Sequence, residues 1–552
     1  MFHYCSTHTG YRQACRRALS KTIPTVFLIL AVLFISSCTS PEPVQGTTEH
    51  VNNPSRSLIL AIGQEPAEGF DPTTGWGRYG SPLFQSTLLK RDAELSIVND
   101  LASGYEVSDD GREWTVTLRD DVLFSDGQPL TAEDVQYTFE TAASSGSVVD
   151  LQLLDSVEAV NAHTVRFLLK EAQSTFVDVL ITVGIVPKHA HGPDYSRHPV
   201  GSGPYQFVQW DAGQQLIVEA NPEYYGPVPY FKRLTFVFMQ EDAAYAAAQA
   251  GQVDIAAIPA MLAKRPVDGM ELVALDSVDN RGISFPMVPS GERTGEGIPV
   301  GNDVTADPAI RKAINIAVDR QQLIDAVFEG YGTPAYSVAD GMPWWNPDTI
   351  MEDGRFEEAE ALLAEAGWVD ENGDGVLDKD GLRAEFELVY LANDDSRQSL
   401  AIAVADFLRP LGIDIKPVAG SWEDIASKMH SQAVMFGWGS YDPLEMYNLY
   451  SSKTRGTGWY NPGYYSNPEV DRYLDLALTS KSEEEALQYW QKAQWDGTTG
   501  FSAMGDAPWA WLVNRQHLYL VNEQLSIGTP KIQPHGHGWP ITDNIAEWRW
   551  KE

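Results

Sequence analysis

Apolar positions recur along this chain with two periods, and the switching between them predicts the elements. Leu58 to Ile62 is a short apolar run that reads as a buried strand, and Glu113 to Arg119 alternates apolar and polar residues like a half-buried one. Phe124 to Gly127 reads as a turn. Thr131 then suits a helix N-cap, with Asp134 three residues on and an apolar face at Val135, Phe139 and Ala142. Asp307 and Pro308 open a second helix whose face runs through Ile310, Ala313, Ile314, Ala317, Ile324 and Val327, and Gly330 ends it. Phe356 to Ala366 is helical with Gly367 at its end. Glu385 to Leu391 alternates as a strand, Gln398 to Leu408 is a helix, and Ile413 to Ile415 is a strand after it. Strands alternating with helices predict α/β lobes.

The N-terminal pattern is different. Arg12, Arg16, Arg17 and Lys21 precede an unbroken apolar run from Val26 to Ile35. That run is shorter than the roughly 20 apolar residues of a spanning helix and suits the h-region of a signal peptide. Ile35-Ser36-Ser37-Cys38 after it resembles a bacterial lipobox, which implies cleavage and lipidation at Cys38. The three cysteines, Cys5, Cys15 and Cys38, all lie here, so cleavage leaves no thiol for a disulfide, catalysis or a metal. Thr39 to Ser57 is polar and aperiodic and reads as a flexible tether. The bulk of the chain is then expected outside the cytoplasm, held at the cell membrane by lipidated Cys38.

Composition narrows the classes. With 39 Lys and Arg against 76 Asp and Glu, the net charge is −37, which repels nucleic acid and anionic headgroups. A hydrophobic fraction of 43% is that of a folded globular protein. No P-loop, G-x-S-x-G or H-E-x-x-H pattern occurs, and no enzymatic activity is expected. Asp370, Asn372 and Asp374 have the spacing that opens a calcium loop, but Gly381 stands where its closing Glu belongs, and a turn-rich connection is the favoured reading.

Histidine is more telling. His535 and His537 lie in Pro-His-Gly-His-Gly-Trp-Pro, a loop or extended segment by its Gly and Pro content. Residues two apart in an extended chain point to one side, and neutral imidazole suits nickel, copper and zinc. A purely structural loop is the alternative. His189 and His191 read as part of an ordinary surface turn. Aromatic residues crowd the second half, including Trp438, Tyr441 and Trp459, and serve either the core or a ligand cleft.

Several segments together resemble a family. Trp114 to Arg119 followed by Phe124 to Val135, then Gly201 to Tyr205, Asn221 to Gly226 and Ala248 to Ile255, are similar to ABC-importer solute-binding proteins of the peptide and nickel-binding class. Asp307 to Ile314, Ala317 to Arg320, Leu362 to Trp368 and Asn467 to Asp471 continue the resemblance in family order. It implies an α/β, two-lobed periplasmic-binding-protein-like fold, hinged between lobes, with a small domain inserted in the first. The expected division is 1–37 signal peptide, 38–57 lipidated Cys and tether, 58–90 and 199–295 lobe I, 91–198 inserted domain, 296–505 lobe II, and 506–552 a return to lobe I. It also implies membrane permease subunits with a separate ATPase as partners, a monomeric binding protein, and no resident cofactor.

The ligand is argued from departures within that resemblance. Peptide-binding members hold the peptide amine with an acid in a Trp-led segment. Here Gly437 to Pro443 is shorter, and Gly439 stands at the expected position. The His535–His537 loop resembles that of nickel-importing members, which capture nickel as a complex with a small chelator. The resemblance then implies His535 or His537 on the metal and an Arg on the chelator carboxylate, with Arg78 and Arg281 as candidates after first-lobe strands. Trp76, Tyr79, Trp438, Tyr441 and Trp459 are expected to line the cleft. A di- or oligopeptide ligand is the alternative.

Overall fold

The computed structural model describes residues 56–79, 83–146, 149–536 and 538–552. The expected signal segment, Cys38, nearly all of the tether, and His537 lie outside the described residues. No helix among the described residues is long and apolar enough to cross a membrane.

Two large sheets form the two lobes. The first is seven-stranded, and its central strand Ser57–Ala61 runs parallel to Arg233–Val237 on one side and Ile255–Ala257 on the other. The second is six-stranded and is built from Gly332–Pro334, Trp509–Arg515, Asn280–Ser284, Ala433–Phe436, Glu385–Leu391 and Asp414–Gly420. A separate four-stranded antiparallel sheet spans Ala102 to Leu169 and carries the helix Ala132–Ser145. The expected mixed α/β, two-lobed fold is therefore present.

Local chemistry accounts for much of this. Trp114, Val116 and Leu118 are buried while Glu113, Thr115 and Thr117 are not, as strand alternation requires. The Asp134 carboxylate takes the Thr131 backbone N–H at 2.9 Å and starts the helix Ala132–Ser145. Val135, Phe139 and Ala142 are its buried face, and a side chain as fully buried as Phe139 stabilises the fold by about 1.5–3 kcal/mol.

The second-lobe helix departs from expectation. It is two helices, Pro308–Ala317 and Arg320–Val327, with Val318 extended between them and Asp319 capping the Gln322 N–H at 2.9 Å. Arg320 is the reason for the break. Its guanidinium is fully buried and donates to the Ala335 carbonyl at 2.8 Å, the Trp511 carbonyl at 2.7 Å and Asp353 at 2.6 Å. An unbroken helix would carry that charge elsewhere and leave those acceptors unfilled.

The sheet pairing also moves the crossings between lobes. Asn280–Ser284 pairs with Trp509–Arg515 and Ala433–Phe436, so the chain enters the second sheet by Asn280, earlier than residue 296. It returns at Gln516, between Trp509–Arg515 and the first-sheet strand His517–Asn522, later than residue 506. The possible calcium loop is closed on itself. Asp370 takes the N–H groups of Gly373 and Gly375 at 2.7 and 2.9 Å, and Asp374 pairs with Arg383 at 2.9 Å.

Candidate functional site

Both crossings meet in one place. Arg515 N–H donates to the Asp279 carbonyl at 3.0 Å, and Val278 N–H to that of Gln533 at 2.8 Å. Asn280 N–H donates to the Trp438 carbonyl at 3.0 Å, and His535 N–H to that of Gly439 at 2.8 Å. Four chain segments distant in sequence are thus knitted at the hinge. Gly439 permits this approach: its φ is 137°, and a Cβ there would lie 1.9 Å from the Val278 carbonyl oxygen. Gly439→Ala is expected to lower stability by about 1–3 kcal/mol, read as a fall in the thermal unfolding midpoint.

Asp279 sits at the centre and is 1% exposed. Its carboxylate pairs with Arg281, with His535 Nδ1 at 2.6 Å and with His517 Nε2 at 3.2 Å, while Arg515 Nε lies 3.6 Å away. Burial by itself would raise its pKa. The Arg281 charge and the His535 contact outweigh that and hold it well below the usual carboxylate range. Burial moves His535 the other way, below its ordinary value, with Asp279 opposing. A neutral imidazole facing a carboxylate through Nδ1 carries its proton there, which puts the coordinating lone pair on Nε2.

Arg281 was expected after a first-lobe strand. It lies instead inside the second-sheet strand Asn280–Ser284, 4% exposed, because that strand pairs with its neighbours in lobe II. Beside it is Arg397, 7% exposed and paired with Asp394. Burial, together with the Arg281 charge, pulls the Arg397 pKa down to about 10. In each guanidinium the buried Nε–H has no hydrogen-bond partner among the described residues. Asp279 and Asp394 neutralise the two guanidinium groups, so a further acceptor here would be held by hydrogen bonding rather than by net charge.

Across the cleft, Arg78 donates to the Tyr79 hydroxyl and lies over its ring, 4.3 Å from the centroid. The Tyr79 and His535 rings are 6.5 Å apart. Burial raises the Tyr79 pKa, with Arg78 opposing. Glu445 stands within electrostatic range of both, accepting from the Gly439 and Ser440 N–H groups, each at 3.2 Å. Burial pushes Glu445 up to about 7. A carboxyl raised in the folded state binds a proton that the unfolded chain has released, so stability falls as pH rises from about 4.5 to about 7. Glu445→Gln is expected to raise the unfolding midpoint at pH 8 by the equivalent of about 1–3 kcal/mol and to leave it nearly unchanged at pH 4.

The aromatic candidates divide. Trp76 packs edge-on against Phe70 and Trp539, with centroids 4.8 and 5.5 Å apart, beside the first-lobe core. Tyr441 is committed to the Ile532 carbonyl under Lys531 and braces the C-terminal loop. Trp438 holds Asn280 through its backbone, and its buried indole N–H has no partner among the described residues. Trp459 is partly exposed and meets Trp422 edge-on at 5.3 Å. Asp279, Arg397 and Glu445 were not singled out from sequence, since none lies in a recognisable pattern. Among the described residues no group of three or more His, Cys, Asp or Glu is placed to hold a metal ion.

Residues 96–461 match the profile of bacterial extracellular solute-binding proteins, family 5 Middle. The chain belongs to this family. Relatives match over most of its length. Protein XP55 of Streptomyces lividans is 32% identical, covering 96% of this chain and 98% of its own. The oligopeptide-binding protein AppA of Bacillus subtilis is 28% identical, covering 86% and 90%. Among solved structures, NikZ from Campylobacter jejuni in complex with Ni(L-His) is 26% identical with a TM-score of 0.73, covering 90% of this chain and 99% of that one. This family 5 chain is the solute-binding component of an ABC importer of the peptide and nickel class.

Proposed function

We propose that this chain captures nickel as a complex with a small carboxylate-bearing chelator and delivers it to a membrane permease energised by a separate ATPase. The carrying observation is the 2.6 Å contact of His535 Nδ1 with buried Asp279, the arrangement that orients a metal-binding imidazole. A single protein imidazole needs further donors, and a chelator brings them with the metal. The chelator's carboxylate would meet Arg281 or Arg397, the buried guanidinium groups beside His535. Hinge closure would exclude water and strengthen both contacts. The likeness to NikZ bound to Ni(L-His) supports the reading. The Ile35-Ser36-Ser37-Cys38 pattern supports anchoring by lipid at Cys38, outside the cytoplasm.

One observation favours a second reading, a peptide ligand. Glu445 puts a buried acid against Gly439, where sequence shows none, and an acid there suits a ligand amine. AppA of Bacillus subtilis has been solved with a nonapeptide, at 25% identity and a TM-score of 0.65.

Native mass spectrometry of the mature domain, purified from rich medium without a metal-binding tag, separates the two. The expected spectrum carries the mass of nickel plus a small organic chelator. A ladder of peptide masses in its place overturns the nickel reading.

A further inference from the structure

A two-stranded hairpin has its base in one core and its tip in another. Leu89–Arg91 pairs with Ile97–Asn99, and the turn between them carries Leu95. Leu88 and Leu89 are buried in the core of the four-stranded domain, with Ile97 packed against it. That domain is bonded to the first lobe. His191 bridges the Tyr137 hydroxyl, 3.0 Å from Nδ1, and the Asp71 carboxylate, 3.0 Å from Nε2. Tyr137 is on the helix Ala132–Ser145, and Asp71 follows Phe70 of the first-lobe core. Leu95 lies elsewhere. It is 7% exposed and belongs to the apolar cluster of lobe II that holds Trp344, Met446 and Trp490. One leucine thus leaves its own domain and enters the core of the opposite lobe.

The tip is held in a conformation that leucine rarely adopts, with φ at 66°. Asp92 fixes the turn by accepting the Glu94 and Ser96 N–H groups at 3.1 and 2.8 Å, and Arg91 Nη1 donates to the Leu95 carbonyl at 2.8 Å. The same guanidinium pairs at 2.6 Å with Asp178, on the helix Phe176–Thr182 of the four-stranded domain. It also lies 5.6 Å from the ring centroid of Trp344 in lobe II. Backbone strain persists only where the surroundings over-determine it, and here they come from both sides of the seam. Ser174, just before that helix, adds two bonds across it. Its backbone N–H donates to the Leu478 carbonyl at 2.7 Å and its hydroxyl to the Ala477 carbonyl at 2.8 Å, filling acceptors at the end of the lobe II helix Pro468–Leu478. Lobes that part by rotating about the hinge must withdraw Leu95 and break the Ser174 bonds.

We propose that this hairpin is a latch. Leu95, seated in the core of lobe II, and Ser174, bonded to the end of its helix, hold the lobes closed by contacts that the ligand does not make. The latch sets the closed-to-open ratio, on which the apparent affinity for any enclosed ligand depends. The proposal does not depend on what the hinge cleft carries.

The test is single-molecule fluorescence energy transfer on the mature domain, dialysed free of ligand. The described residues contain no cysteine, so Met261→Cys in the first lobe and Ile402→Cys in the second, both exposed, take the dyes. The parent is expected to dwell in a closed state. Leu95→Asn removes the apolar plug while keeping a residue that tolerates the left-handed conformation. It is expected to shorten the mean closed dwell about ten-fold or more, the worth of a buried leucine side chain. Ser174→Ala, a milder change, should shorten it about three- to ten-fold, the worth of one hydrogen bond. Leu95→Met keeps the plug and should restore most of the parent's dwell. A parent with no closed population, an unchanged dwell in Leu95→Asn or in Ser174→Ala, or a dwell in Leu95→Met as short as that in Leu95→Asn overturns the latch.

Discussion

Replacing Asp279 by Asn is expected to lower the unfolding free energy by about 3–5 kcal/mol, because it leaves buried cations without their counter-charge. The change keeps shape, removes the charge and turns one acceptor oxygen into a donor. Arg281 then loses its paired carboxylate beside Arg397, whose own partner is Asp394, and His517 and His535 lose the charged acceptor they share. The chain has two lobes, so the readout is the thermal midpoint of the hinge-coupled transition rather than a two-state free energy. The pH dependence has a definite sign. Asp279 is depressed in the folded state, so its contribution is complete above the unfolded carboxylate value of about 3.9 and is lost as pH falls towards its folded value. The difference between Asp279→Asn and the parent should stay flat from about pH 5 to 8 and close only in stronger acid. Equal midpoints at pH 7 would show that the carboxylate is not what offsets the buried guanidinium groups.

His535→Ala should behave in the opposite way, with a large loss of binding and little change in stability. Asp279 keeps Arg281 and His517, so no buried charge is stranded. Disturbing a residue that merely orients a metal ligand weakens affinity about 10–100-fold, and removing the ligand itself is expected to cost at least the upper end of that range. Isothermal titration of the apo chain with nickel–histidine measures it. Burial lowers the His535 pKa, so the parent's nickel affinity should hold as pH drops to the ordinary imidazole value of about 6.5 and fall only below it. In His535→Ala that acid limb should vanish. Full-strength nickel–histidine binding by the variant would remove His535 from the metal and leave the chelate held by other residues.

These contrasts depend on how the chain is legible. The strands at Glu113 and Glu385 and the helix after Thr131 could be read directly, because alternation, capping and helical faces are set by residues within a few positions of one another. The break at Val318 could not. The face from Ile310 to Val327 is periodic throughout, and only the distant carbonyls of Ala335 and Trp511 hold Arg320 where the helix must stop. His535 was visible because Gly and Pro around a His pair are themselves a local signal.

What the sequence by itself determined is the α/β alternation, the acidic composition, the order of family segments, and the imidazole of the C-terminal loop. The tertiary structure alone decided which groups that imidazole meets. Asp279 with Arg281, and Arg397, Glu445 and His517, come from segments far apart along the chain. Their charges acquire meaning only when the fold removes them from water, since ion pairing and pKa depend on distance and dielectric rather than on position in sequence.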